Sequence, residues 1–309
     1  MAAYKPRVSI GMPVFNGESY LEETLESILI QTFQDFELII SDNASTDKTK
    51  DICQAYAVQD SRIQYYCNEQ NLGAAKNYNQ VFALSSGEYF KWVAHDDPCA
   101  PRCLETCVNI LDREPEIIMC YPKTILIDEH GDIIEYHHDG FNLYSSKPYE
   151  RLQKSFYVSA WCHPVFGLIR ADVLKRTGLI GSYASSDKVL LGELAILGKC
   201  YEVPEYLAYR RLHPQISTRV YITDAAMDAW FDPTTKSVLA PRWRRLVELH
   251  KAIQRAHLNP YNLIRCYIEL GRFYLSVKRM AGVGKDLKQI GRRASHIFSK
   301  HKHETQNTA

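Results

Sequence analysis

Two adjacent carboxylates, Asp96 and Asp97, end the segment Ala94-His95-Asp96-Asp97 and directly follow an apolar run. Neighbouring acids repel one another unless a positive charge stands close by. A hard divalent cation bridging phosphate oxygens supplies such a charge and keeps several positions for water or substrate. Asp-Asp-Pro is also an ordinary turn and helix start, with Pro98 or Pro101 near the first helical position. A second acid, Asp42, closes another apolar run in Ser41-Asp42-Asn43-Ala44-Ser45-Thr46-Asp47. A carboxylate there can accept from an imide N–H such as that of a uracil ring, while Asp47 favours the first turn of the next helix. Both acids equally make turns and caps without any ligand.

Two further segments fall at comparable places. Pro13-Val14-Phe15-Asn16 ends the first apolar run, where the Phe15 ring can lie against a base and Asn16 can serve the turn. Asn71-Leu72-Gly73-Ala74-Ala75-Lys76-Asn77 opens a helical pattern, so that its backbone N–H groups, with Asn71 and Lys76, can face an anion. A capped surface helix with a solvated lysine has the same sequence.

The elements that position these groups follow from periodicity. Arg7 to Phe15, Phe36 to Ser41, Ile63 to Tyr66 and Tyr89 to Val93 read as strands. Between them, Glu18 to Thr32 carries Leu21, Leu25, Ile28 and Leu29 at helical spacing; helices also fit from Ser45 or Thr46 to Ala57 and from Ala74 to Leu84. Alternating strands and helices imply a mainly parallel sheet covered on both faces. Such sheets collect ligands beyond the carboxyl ends of their strands, where strand order reverses. Past residue 115 the pattern becomes α+β, with strand-like pieces at Ile117 to Ile127, Val165 to Ile169 and Tyr201 to Tyr209, and helices at Tyr149 to Tyr157 and Asp187 to Leu197. From Asp224 onward the chain reads as helical, broken at Pro233, Pro241 and Pro260.

Composition excludes several classes. With 309 residues and 46% hydrophobic content the chain can bury a core, and 37 Lys plus Arg against 36 Asp plus Glu gives no polyelectrolyte character, so nucleic acid is not an expected partner. Nine cysteines without a charged segment leading into an apolar one argue against secretion and for a cytoplasmic setting. Runs such as Ile117 to Tyr121 fall far short of the ~20 residues that span a bilayer. Cys99, Cys103 and Cys107 recur every four residues and match no zinc spacing, so they read as buried thiols on a helix face.

Taken in order, Val8-Ser9-Ile10-Gly11-Met12-Pro13-Val14-Phe15-Asn16, Gln31-Thr32-Phe33, Ser41 to Asp47, Asn71-Leu72-Gly73 and Asp96-Asp97 resemble the family 2 glycosyltransferases over about residues 5 to 125. The resemblance implies a GT-A fold: a Rossmann-like, mainly parallel mixed sheet flanked by helices. It places the donor-binding half at 1–125, the acceptor half at 126–220 and a helical extension at 221–309. It further implies an inverting transfer from a nucleotide-sugar, with UDP favoured. Pro13, Phe15 and Asp42 would hold the uridine, and Asp96 and Asp97 would hold Mn²⁺ or Mg²⁺ on the diphosphate. Many members carry an acid where Ala94 stands, which makes Asp97 the expected direct ligand and leaves a non-catalytic nucleotide-sugar-binding subunit as the alternative.

Later segments extend the resemblance. Asp187, in Ser185-Ser186-Asp187, matches the family's catalytic acid, and a carboxylate there can take the acceptor hydroxyl's proton; as a plain N-terminal helix residue it would need no chemistry. Arg210-Arg211-Leu212-His213-Pro214 resembles a late basic motif, in which His213 completes the metal shell and Arg210 and Arg211 neutralise phosphate. Trp161 and His163 are expected on the side of a glycan or lipid-linked acceptor. Between Ser276 and His303 eight Lys or Arg face one acid, Asp286, a pattern that fits peripheral contact with the inner membrane face or a solvated helix packed on the domain.

Overall fold

The computed structural model describes residues 5–157, 162–221, 223–234 and 241–276. The first half alternates as its periodicity predicts: β1 (Val8–Val14), α1 (Leu21–Leu29), β2 (Phe36–Asp42), α2 (Thr49–Gln59), β3 (Ile63–Cys67), α3 (Ala74–Ala83) and β4 (Tyr89–Trp92). Then come α4 (Cys103–Arg113), β5 (Ile117–Ile127), β6 (Ile133–His137), α5 (Pro148–Ser155), β7 (Leu168–Arg170), α6 (Ala171–Leu174), α7 (Ser186–Leu197) and β8 (Lys199–Arg211). Four further helices follow: α8 (Ser217–Val220), α9 (Asp224–Phe231), α10 (Pro241–Arg255) and α11 (Pro260–Leu275).

The strands join one eight-stranded sheet in the order β3-β2-β1-β4-β7-β5-β6, with β8 on β5. Strands β1 to β4 pair in parallel, β7 runs antiparallel to both β4 and β5, and β8 runs parallel to β5. Every residue of β1 and β2 is buried, which is why these strands read as continuous apolar runs rather than alternating ones. One face of the sheet packs on α1 and α4, through Leu21, Leu25, Ile28, Leu104 and Leu111. The other packs on α3 and α7, through Val81, Phe82, Leu190 and Leu194. Gly11 makes the second packing possible, since a Cβ there would stand 2.6 Å from the Val81 side chain.

Helices α10 and α11, part of the expected helical extension, pack on α5 and α7 through Leu152, Val189, Leu249, Ile253 and Leu270. An ion pair reinforces this contact: Arg255 on α10 donates two hydrogen bonds to the buried Glu193 on α7, at 2.7 and 3.0 Å.

Some expectations need correction. The strand expected over Val165 to Ile169 begins instead as a single 3₁₀ turn at His163–Phe166, and only Leu168–Arg170 is extended. Pro164 sits in that turn, and Gly167 passes so close to β5 that a Cβ would meet the Cys120 carbonyl at 2.7 Å. Strand β6 gave no signal because most of its side chains are exposed and do not alternate. Cys103 and Cys107 are buried on α4, whereas Cys99 precedes the helix, buried opposite Ala208 of β8. Among the described residues no helix is long and apolar enough to cross a membrane. The basic segment beyond Ser276 lies outside the described residues.

Candidate active site

Strand order reverses beside β1, whose neighbours are β2 and β4, and the polar segments leave the carboxyl ends of all three. The loops after β1 and β2 are stitched together. Asn16, with φ 51°, accepts from the Thr46 N–H at 2.9 Å and donates its own N–H to the Ser45 hydroxyl. The Gly17 N–H reaches the Thr49 hydroxyl at 2.8 Å, and the Glu18 and Lys48 N–H groups bond to the Asp47 and Glu18 carboxylates. Asn16 therefore serves the turn. Phe15 is 39% exposed, an apolar ring presented to solvent beside that turn, whereas Pro13 is buried within β1.

Asp42 is fully buried at the end of β2. It accepts the Ser45 N–H at 2.9 Å and the Tyr65 hydroxyl at 2.7 Å, and those bonds form its turn and anchor β3. Asn71 accepts from the Gly73 N–H and from Asn43, while Asn43 holds the Leu72 N–H. Two of the N–H groups expected to face an anion are thus taken by asparagine oxygens. Lys76 is exposed on α3, and among the described residues no hydrogen bond or ion pair joins it or Asn71 to the Asp96 and Asp97 group.

Asp96 and Asp97 leave β4 in different company. His213, just past β8, brings Nε2 to 3.0 Å from an Asp96 oxygen. Arg210 donates to Asp97 at 2.6 Å, and the Arg211 backbone N–H donates to its other oxygen at 2.9 Å. Burial works against the Asp96 charge, but His95, the His213 hydrogen bond and Arg210 outweigh it and hold the carboxyl below the usual range. For Asp97 burial dominates and, with the Asp96 charge, raises the carboxyl in spite of Arg210.

Asp96, rather than the expected Asp97, is the acid that stands beside a second metal-type donor. The pair fits a hard divalent cation. Adjacent ligands around an ion at about 2.1 Å lie about 3 Å apart, and the second ring nitrogen of His213, Nδ1, is buried without a hydrogen-bond partner. The Asp96 carboxylate can only accept, so the contact as it stands places a proton on Nε2, the position that a bound ion would take over.

Arg211 has a different task from the one expected. It is 1% exposed, donates to Glu23 on α1 and to the Asp96 and Asp128 carbonyls, and lies over the Tyr20 ring at 4.7 Å. No phosphate reaches a guanidinium so enclosed; Arg211 positions the loop that carries the acids. Its neighbour Arg210 lines a cavity with Asp97, Trp92, Tyr121, His163 and Phe166.

Asp187 stands in the first turn of α7, half-buried, and accepts from the Lys188 N–H at 2.8 Å. The Cys162 thiol is raised by burial and by this carboxylate beside it. Tyr78 of α3, whose carbonyl accepts from Trp92 at 2.9 Å, feels the same charges. Its phenol is raised chiefly by burial, against Arg210 and with the charges of Asp96, Asp97 and Asp187. The ring itself is only partly buried, and no sequence signal marked it. His163 is buried and takes Nδ1 to 3.0 Å from Asp139, whereas Trp161 lies outside the described residues.

Comparison with known proteins bears on the family and the fold. Residues 9–178 match the family described as Glycosyl transferase family 2. An uncharacterized glycosyltransferase of Rickettsia typhi is 34% identical over 152 residues, 49% of this chain and 44% of that protein. One from Haemophilus influenzae is 28% identical over 70% of this chain and 68% of its own. The matches span less than half the length of the first of these curated relatives. Among solved structures, S. aureus TarS 1–349 in complex with UDP-GlcNAc superposes with a TM-score of 0.64 at 18% identity, covering 89% of this chain and 74% of that one. The mannosyltransferase PcManGT of Pyrobaculum calidifontis, in complex with GDP-Man and Mn²⁺, does so with a TM-score of 0.54 at 16% identity, covering 98% and 81%.

Proposed function

The chain belongs to glycosyl transferase family 2 and has the GT-A fold, and from that premise we propose that it moves a sugar from a nucleotide-sugar, with a UDP-sugar the first choice, to a hydroxyl acceptor with inversion. The observation that carries the reading is the pairing of Asp96 with His213, next to that of Asp97 with Arg210, at the carboxyl edge of the sheet.

In this reading Asp187 takes the acceptor's proton as its oxygen forms the new bond to the anomeric carbon. The bond to the departing diphosphate breaks with its electron pair, and one displacement inverts the centre. Asp96 and His213 would hold Mn²⁺ or Mg²⁺, and the bound ion would supply Lewis-acid stabilisation of the leaving group. Arg210, poised on the cavity wall, adds positive charge near the diphosphate. The exposed Phe15 ring offers a stacking surface for the base; an imide contact to the enclosed Asp42 needs its turn to open. His163, with Trp161, would face a glycan or lipid-linked acceptor, which residues 276–303 would bring close by resting on an anionic membrane surface.

The test is turnover of a panel of UDP-, GDP- and dTDP-sugars with Mn²⁺, comparing the wild type with Asp96→Asn. Turnover of one donor, abolished by the substitution, supports the reading, and failure of every donor to bind with metal present refutes it. Binding without turnover would favour a non-catalytic nucleotide-sugar-binding subunit, the alternative that Ala94 in place of an acid motivates.

A further inference from the structure

A second group of metal-type donors lies apart from Asp96 and His213. His137 ends β6, Asp139 follows it, and His163 opens the 3₁₀ turn; one donor atom from each lies within 4.8 Å of the others. We propose that these three residues bind a divalent cation of the zinc class, at a site separate from the one assigned to the donor diphosphate.

The geometry favours an ion over a simple hydrogen-bonded cluster. The Asp139 side chain has no exposure to solvent, and its two oxygens face two different imidazoles, His163 Nδ1 at 3.0 Å and His137 Nε2 at 3.8 Å. The longer separation is beyond hydrogen-bond range, and His137 Nε2 is buried without a hydrogen-bond partner. Ligands of a tetrahedral zinc, with bonds of about 2.0–2.1 Å, stand about 3.3 Å apart, between the two observed separations. The imidazole planes are nearly perpendicular, at 87° with centroids 5.1 Å apart, so neither ring blocks the space between the donors by stacking.

The surroundings resemble a metal site's outer shell. The other nitrogen of His137, Nδ1, lies 3.5 Å from the Glu135 carboxylate, the orientation in which an acid holds a ligating histidine. Glu202 on β8 fixes the loop: one of its oxygens accepts from the Gly140 N–H at 2.9 Å and from the Tyr121 hydroxyl, and the other lies against His138. The Tyr121 oxygen in turn accepts the Phe141 N–H at 2.9 Å. Asp139 is thus carried on a loop pinned on both sides. Two imidazoles and one carboxylate suit zinc-class ions better than Mg²⁺, which prefers an all-oxygen shell. Because His163 also lines the cavity shared with Asp97 and Arg210, a bound ion would clamp this loop to the cavity wall.

The experiment uses the full chain, stripped with chelator and titrated with Zn²⁺ by calorimetry, together with Co²⁺ substitution read by visible absorption. It is done in the Asp96→Asn background, so that the donor-metal assignment and this one fail separately. A single zinc equivalent that survives Asp96→Asn and weakens at least about tenfold in His137→Ala and His137→Gln supports the site. Circular dichroism and melting of both variants in chelator check that they are folded. No zinc binding in Asp96→Asn, or unchanged affinity in folded His137 variants, would overturn it.

Discussion

His213 Nε2 stands 3.0 Å from the Asp96 carboxylate although 117 residues separate the two in sequence, and each is buried. If this pair is the protein's share of the donor-metal shell, His213→Ala should weaken Mn²⁺ binding in the presence of UDP by roughly 10–100-fold. Counting free Mn²⁺ by electron paramagnetic resonance measures it, and an unchanged affinity would reduce His213 to a hydrogen-bonding role.

Asp187→Asn keeps the size and the backbone contact of the side chain but removes its basicity. The expected loss is on the order of 10²–10⁴ in kcat, with donor affinity unchanged. Steady-state kinetics alongside equilibrium donor binding separates the two, and a variant that turns over normally would exclude Asp187 as the base.

Arg255→Ala tests the strut between α10 and α7. It leaves the Glu193 carboxylate, 2% exposed, still accepting from the Gly178 N–H at 2.9 Å but without the guanidinium. Breaking a buried pair costs about 3–5 kcal/mol; water reaches Arg255, so roughly 1–3 kcal/mol is expected here. Thermal melting should fall by several degrees, and an unchanged midpoint would mean the apolar contacts alone dock the two helices.

Acid sensitivity can be checked at Asp60, next to β3. Arg62 hydrogen-bonds its carboxylate and, against a smaller effect of burial, holds the carboxyl below its ordinary value. A lowered folded pKa stabilises fully above the unfolded value of about 3.9, and the contribution disappears as pH falls through the folded one. Asp60→Asn should therefore be less stable than the wild type at pH 7, by about 1 kcal/mol or less, and the gap should close in acid. Urea titrations at neutral and acidic pH would show it; a gap that stays constant would contradict the linkage.

The strands and helices that position the donor-side loops were legible because β1 and β2 are buried on both faces, and α1 repeats Leu21, Leu25 and Ile28 on one stripe. What each polar side chain faces was less so. Arg210 and Arg211 are adjacent, yet successive strand residues point to opposite sides, which sends one to the cavity and the other into a buried contact with Glu23. Sequence spacing could not say that Asp97 would meet Arg210 and leave Asp96 to His213, because those partners lie more than a hundred residues away. Tyr78 carries no motif, and Asp139 takes its importance only from the loop that Glu202 holds.

The loop carrying Asp96 and Asp97 is pinned by Arg210, Arg211 and His213, all contributed at or just past the end of β8. On the ribosome the strands around that loop emerge long before its anchors do. A nascent chain arrested before residue 210 would hold β1 to β4 without the side chains that arrange its acids, so competence for chemistry should arrive late in synthesis, as one step, when β8 closes on β5.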